Sequence, residues 1–177
     1  MKNIVHFEPI TPKTYHDYIE VGTRAYDQHY LHLWPNRDST PYISNSFTLD
    51  VLGKEELDKN TLLYIIKLNN TSVGILKFTT DFNLDKYTKK EALYVDKIYM
   101  LNEYSGNGIG KKALQFVILR AKEIGKKIVW LDTMQKGPAL NFYLQNGFEI
   151  HGESQIQLPT VLEAEKQMYI MVKKLQN

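Results

Sequence analysis

Glu103-Tyr104-Ser105-Gly106-Asn107-Gly108-Ile109-Gly110-Lys111-Lys112 decides how this chain is read. Its alternating glycines lie directly after an apolar, strand-like run and directly before a strongly amphipathic stretch. A junction of that kind leaves the first N–H groups of the helix without internal acceptors, with the positive end of the helix dipole behind them. Glycine lets another group approach that backbone closely. A phosphate or diphosphate fits there, so the stretch predicts a phosphate-bearing ligand.

Working outward, Gly110, Ala113, Leu114, Val117, Ala121 and Ile124 recur at helical steps. They oppose Lys111, Lys112, Gln115, Lys122 and Lys126, and Gly125 ends the helix. Before the glycines, Ala92 to Leu101 reads as a strand that is apolar on both faces except at Asp96 and Lys97, hence central in its sheet. After the helix, Lys127 to Thr133 reads as a short buried strand, and Gly137-Pro138 opens a short helix that Gly147 caps. Two further strands are predicted over Phe148 to Leu158 and Gln167 to Leu175. On the N-terminal side, Ile4 to Ile10 alternates as a strand, and Thr14 to Leu33 is helical in pattern. A second helical stretch runs from Pro41 to Asp58-Lys59-Asn60. Leu62 to Leu68 and Val73 to Phe82 form a hairpin across Asn69-Asn70-Thr71-Ser72. The pattern is mixed α/β, with hairpins at both ends and one strand–helix–strand crossover between them.

A length of 177 residues predicts a single domain over residues 1–177 that buries roughly 70% of its unfolded surface. With zero cysteines, neither a disulfide nor a thiolate zinc site is available. Residues Met1 to Pro9 lack the apolar core of a signal peptide, and no apolar run reaches membrane-spanning length. The expectation is a soluble cytoplasmic protein with no membrane partner. A net charge of +2, with lysines spread along the chain, gives no case for nucleic acid. Strands at the C-terminal edge suit a homodimer.

Three phosphate sites compete for the glycine stretch. A P-loop needs G-x-x-x-x-G-K-[ST], but Ser105 stands at its first glycine and Lys112 follows Lys111, so both ends fail. A dinucleotide site wants G-x-G-x-x-G after a strand and an acid about 20 residues on. Asp132 meets the second requirement, which keeps an NAD(P)-dependent oxidoreductase as an alternative. The glycines, however, run G-x-G-x-G, and only one crossover is available. The third reading uses two motifs. Ile98 to Gly110, then Ala139-Leu-Asn-Phe142-Tyr143-Leu-Gln-Asn-Gly147-Phe148 after one further strand, resembles the GNAT acetyltransferase superfamily across Leu93 to Phe148. Its Q/R-x-x-G-x-G/A motif precedes an N-x-x-A-x-x-F-Y-x-x-x-G-F segment. Ser105 replaces the Q/R and Lys136 the usual asparagine. Losing a charged donor costs about 1.5–3 kcal/mol unless Lys111, Lys112 or Lys136 compensates.

The resemblance implies a central, mixed, mostly antiparallel sheet of about seven strands flanked by about four helices. It implies acetyl-CoA as the acetyl donor, with a primary amine, small or on a peptide, attacking directly. The diphosphate would sit on the N–H groups of Gly106, Asn107, Gly108, Ile109, Gly110 and Lys111, beside Ser105 and Lys136, with Ile98, Tyr99 and Met100 along the pantetheine arm. Tyr143 would protonate the departing thiolate, since a phenol near ~10 and a thiol near ~8.5 exchange a proton when close. The general base stays open among Asp132, Asp96 in its apolar surroundings, and water. Each aspartate equally suits an ordinary hydrogen-bonded role. Tyr26, His29, Tyr30 and Trp34 are expected at the acceptor pocket, where aromatic faces attract cations. His29 and His32 have metal-pair spacing but no third ligand, so no metal is expected. The substitutions at Ser105 and Lys136 also suit a non-catalytic acyl-CoA-binding or regulatory module.

Overall fold

The computed structural model describes residues 4–176. Strand β1 (Val5–Pro9) leads into helix α1 (Tyr15–Tyr30), which a 3-10 turn extends over Leu31–Leu33. Two short helices follow, α2 (Thr40–Ser46) and α3 (Leu49–Leu57). Next come β2 (Thr61–Leu68), β3 (Thr71–Thr79), β4 (Ala92–Met100), α4 (Ile109–Glu123) and β5 (Ile128–Met134). The chain closes with α5 (Ala139–Gln145), β6 (Glu149–Gln155) and β7 (Gln167–Lys174). The expected elements are all present within the described residues, with two local differences. The helical stretch after Pro41 is divided, so five α-helices rather than four flank the sheet. Phe47 leaves helical geometry (φ −125°, ψ 65°) and is buried, while the Thr48 hydroxyl accepts the Val51 N–H at 3.2 Å and starts the next helix. The hairpin turn is also tighter than expected. Asn69, at φ 56°, makes the reversal with Asn70, and Thr71 and Ser72 already belong to β3.

The seven strands form one sheet in the order β1-β2-β3-β4-β5-β7-β6, with β4 in the middle and β6 at the C-terminal edge. Every neighbouring pair is antiparallel except β4 and β5. A parallel pair requires a crossover, and α4 supplies it. A dinucleotide fold would need several such parallel strands, so the nicotinamide alternative ends here. Both faces of the sheet are covered. Ile65 and Ile75 pack with α1 on one side, while Ile66 and Leu76 pack with α4 on the other, following the two-residue period of a strand.

The sheet is split at its centre. Pairing of β4 with β5 runs from Ala92↔Ile128 to Tyr94↔Trp130 and goes no further. Beyond Tyr94 the two strands separate, and the second half of β4 keeps a neighbour only on its β3 side. That split positions the site.

Candidate active site

After β4 the chain makes a 3-10 turn (Asn102–Tyr104), and the Ser105 N–H is bonded to the Asn102 carbonyl at 3.0 Å. Gly106 (φ 78°) and Gly108 (φ 74°) then take left-handed conformations that lead into α4. Lys112, bonded to the Gly108 carbonyl at 3.1 Å, is the first N–H of the helix to find an internal acceptor. Among the described residues, the N–H groups of Gly106 through Lys111 have none. A methyl group built on Gly106 or Gly108 would meet nothing within 4 Å, so the space above the loop is open. Gly110 has another reason to be glycine: a Cβ there would lie 3.2 Å from the Phe142 ring, so its absence lets α5 sit against the first turn of α4. The loop forms one wall of a cleft of about 510 Å³ that also takes in Met100, Phe142 and Asn146.

The split strand supplies a second wall. The Leu101 N–H is bonded to the Val73 carbonyl at 2.9 Å, facing β3. Backbone groups alternate in direction along a strand, so those of Ile98 and Met100 point the other way, into the gap that β5 has vacated. The Met100 carbonyl is taken by His29, whose Nε2 lies 2.9 Å away. A carbonyl only accepts, so Nε2 carries the proton. Open to the gap are the Ile98 N–H and carbonyl and the Met100 N–H.

A second cavity, of about 550 Å³, lies on the other side of this wall. Tyr26, Tyr30, Tyr42, Tyr94, Tyr99 and Tyr143 line it. The Tyr26 and Tyr42 rings are stacked at 4.0 Å, and the Tyr42 and Tyr99 hydroxyls are hydrogen-bonded at 2.9 Å. Burial pushes the Tyr30 phenol up to about 12 and the Tyr143 phenol still higher. The Tyr143 hydroxyl has no hydrogen-bond partner among the described residues and borders both cavities, as do Tyr30, Ile98, Tyr99 and Ala139. The two cavities therefore meet along Tyr143 and the free edge of β4.

The aspartates differ sharply. Asp96 is ion-paired with Lys77 at 2.7 Å and Lys97 at 3.0 Å, and Lys77 also reaches Glu55 at 2.6 Å. Burial alone pushes the Asp96 carboxyl up, but the two lysines outweigh it and hold the group below its ordinary value. The expectation that apolar neighbours raise Asp96 into the range of a base is thus corrected: its strand neighbour Lys97 is turned toward it. Asp132 accepts the Tyr94 hydroxyl at 3.1 Å and the Ser154 hydroxyl at 2.5 Å, and has no cationic partner among the described residues.

Other sequence-predicted residues scatter. Tyr26 and Tyr30 line the tyrosine-walled cavity. His29 lies instead on the glycine-loop side, tied to Met100, and no cluster of metal-ligating groups surrounds it among the described residues. Trp34 is in the core, 2% exposed, and donates its indole N–H to the Tyr26 hydroxyl at 2.9 Å; it braces a wall residue and is not one. Lys136 turns away from the loop toward the Ala164 carbonyl (2.8 Å) and Glu165 (2.9 Å), so it does not replace the missing donor, whereas Lys111 does border the cleft. Sequence reasoning missed Tyr42, Tyr94 and Ser154. Two-residue spacing from Asp96 puts Tyr94 on the same face of β4, a signal that was available; nothing in the sequence marks Tyr42 or Ser154.

Residues 23–148 match the model of the Acetyltransferase (GNAT) family. An uncharacterised N-acetyltransferase of Lactobacillus delbrueckii subsp. lactis is 24% identical over 138 residues, 77% of this chain and 78% of that one. Among solved structures, the PaiA N-acetyltransferase of Thermoplasma acidophilum, in complex with coenzyme A, superposes with a TM-score of 0.75 at 16% identity, over 97% of this chain and 99% of that one. A GNAT family acetyltransferase of Elizabethkingia anophelis with acetyl-CoA bound gives 0.64 at 17% identity, over 98% and 100%. At these identities the solved structures show the shared fold.

Proposed function

Because this chain belongs to the GNAT acetyltransferase family, and is an acetyltransferase, we propose that its donor is acetyl-CoA and its acceptor a primary amine. The observation that carries this reading is the meeting of two cavities at Tyr143. The glycine-loop cleft on one side has the free N–H groups a diphosphate requires. The tyrosine-lined cavity on the other suits an organic amine. Relatives of the same fold are named as holding coenzyme A or acetyl-CoA, which supports the donor.

In this proposal the N–H groups of Gly106 to Lys111 hold the diphosphate. The free backbone groups of Ile98 and Met100 align the pantetheine arm, and an N–H of that edge polarises the thioester carbonyl. The neutral amine nitrogen attacks the carbonyl carbon, the C–S bond breaks, and the sulfur leaves as a thiolate beside Tyr143. The proton that nitrogen loses passes to water, balancing the one the sulfur finally takes up. Burial keeps the Tyr143 phenol protonated throughout the working range, so it serves first as a hydrogen-bond donor to the developing thiolate. Full transfer of its proton requires the same burial to raise the thiol as well.

Calorimetry with acetyl-CoA, coenzyme A and NADPH tests the donor: heat is expected with both coenzyme A species and not with NADPH. An assay of free thiol release against a panel of primary amines tests the transfer. No heat with either coenzyme A species would refute the proposal.

A further inference from the structure

The charge balance of the tyrosine-lined cavity narrows the acceptor. Two carboxylates line it, Asp96 and Asp132, and no lysine, arginine or histidine does so among the described residues. Lys77 and Lys97 neutralise Asp96, whereas Asp132 has only hydroxyl partners. A structural tie from β5 to Tyr94 and Ser154 needs acceptors but no charge, and an amide would provide them. A carboxylate left uncompensated in an aromatic cavity costs solvation, which a bound cation returns.

We propose that the acceptor is a small alkane diamine. One amine, in its neutral form, meets the acetyl donor beside Tyr143. The other, as an ammonium, rests against Asp132 among the tyrosine rings, where aromatic faces add to the attraction. Tyr94 and Ser154 hold the carboxylate between them and act as positioning residues. At about 550 Å³ the cavity has room for such a chain. An amine with a carboxylate tail would meet Asp132 with no protein cation to offset it. This inference rests on the acetyltransferase reading and assigns Asp132 an anchoring role in place of a base.

The test compares butane-1,4-diamine, n-butylamine and 4-aminobutanoate at saturating acetyl-CoA, by thiol release. The diamine is expected to exceed n-butylamine in kcat/KM by about tenfold or more, with 4-aminobutanoate slowest. In Asp132→Asn the ratio of diamine to n-butylamine should fall toward unity, with Asp132→Glu retaining part of it. Were Asp132 the general base, both amines would slow together and the ratio would survive, which overturns the proposal. So does a native enzyme that favours n-butylamine or 4-aminobutanoate, although acetyl transfer itself would then stand. Absence of diamine turnover likewise overturns it. If no amine is turned over and acetyl-CoA gives no heat, the acetyl-CoA reading fails with it.

Discussion

Replacing Asp96 by asparagine should cost stability and leave the chemistry largely intact. The Lys97 side chain is only 8% exposed, and Asp96 at 3.0 Å is its one ion-pair partner among the described residues, while Lys77 keeps Glu55 at 2.6 Å. Removing one partner of a buried pair costs about 3–5 kcal/mol. Asp96 is itself 28% exposed, so solvent screens part of the interaction and the lower end applies, about 3 kcal/mol. For a chain of this length, that lowers Tm by roughly 6–12 °C. The pH dependence has a definite sign. The folded-state carboxyl of Asp96 lies below its ordinary value. Its contribution is therefore fully present above the unfolded value near ~3.9 and is lost as pH falls through the folded one. Thermal unfolding of the native chain and of Asp96→Asn should thus differ most at neutral pH and converge in acid. Thiol release measured well below both transitions should stay within a few-fold. If Asp96→Asn unfolds at the native temperature yet loses more than a hundredfold in kcat, the carboxylate is a chemical group and the ion-pair argument is wrong.

Tyr143→Phe keeps the ring and deletes the hydroxyl, so kcat should fall by roughly a hundredfold while acetyl-CoA affinity by calorimetry changes little; full turnover would remove the proton-donor role. Gly108→Ala forces a side chain into φ 74° and should cost about 1 kcal/mol, or roughly 2–4 °C in Tm, together with weaker acetyl-CoA binding as the amides reorient. Gly53→Ala makes the contrast: it lies within α3 with nothing within 4 Å of the added methyl, so stability should rise by about 0.5–1 kcal/mol with activity unchanged. An equal penalty at both glycines would mean that backbone conformation at the loop is not what matters.

What could be read from the sequence follows the range of the interaction involved. The α4 stripe and the apolar run of β4 are written in nearest neighbours along one element, and the structure returns them almost residue for residue. The glycine loop was legible for the same reason, since its left-handed turns and free N–H groups belong to one short segment. The tyrosine-lined cavity depends on chain segments that lie far apart in sequence and meet only in the fold. Tyr42 comes from a helix the pattern had fused with its successor, Tyr94 from the start of β4, and Ser154 from β6 at the sheet edge. Asp96 shows the limit most clearly. Its sequence neighbourhood reads as apolar, yet its state is set by Lys77 across the β3–β4 ladder as well as by Lys97 beside it. A carboxylate's chemistry is decided by which cations the fold brings within reach. The same rule separates the two aspartates: Asp96 is matched by lysines, whereas Asp132 has hydroxyl partners alone, and it is on that difference that the proposed diamine acceptor rests.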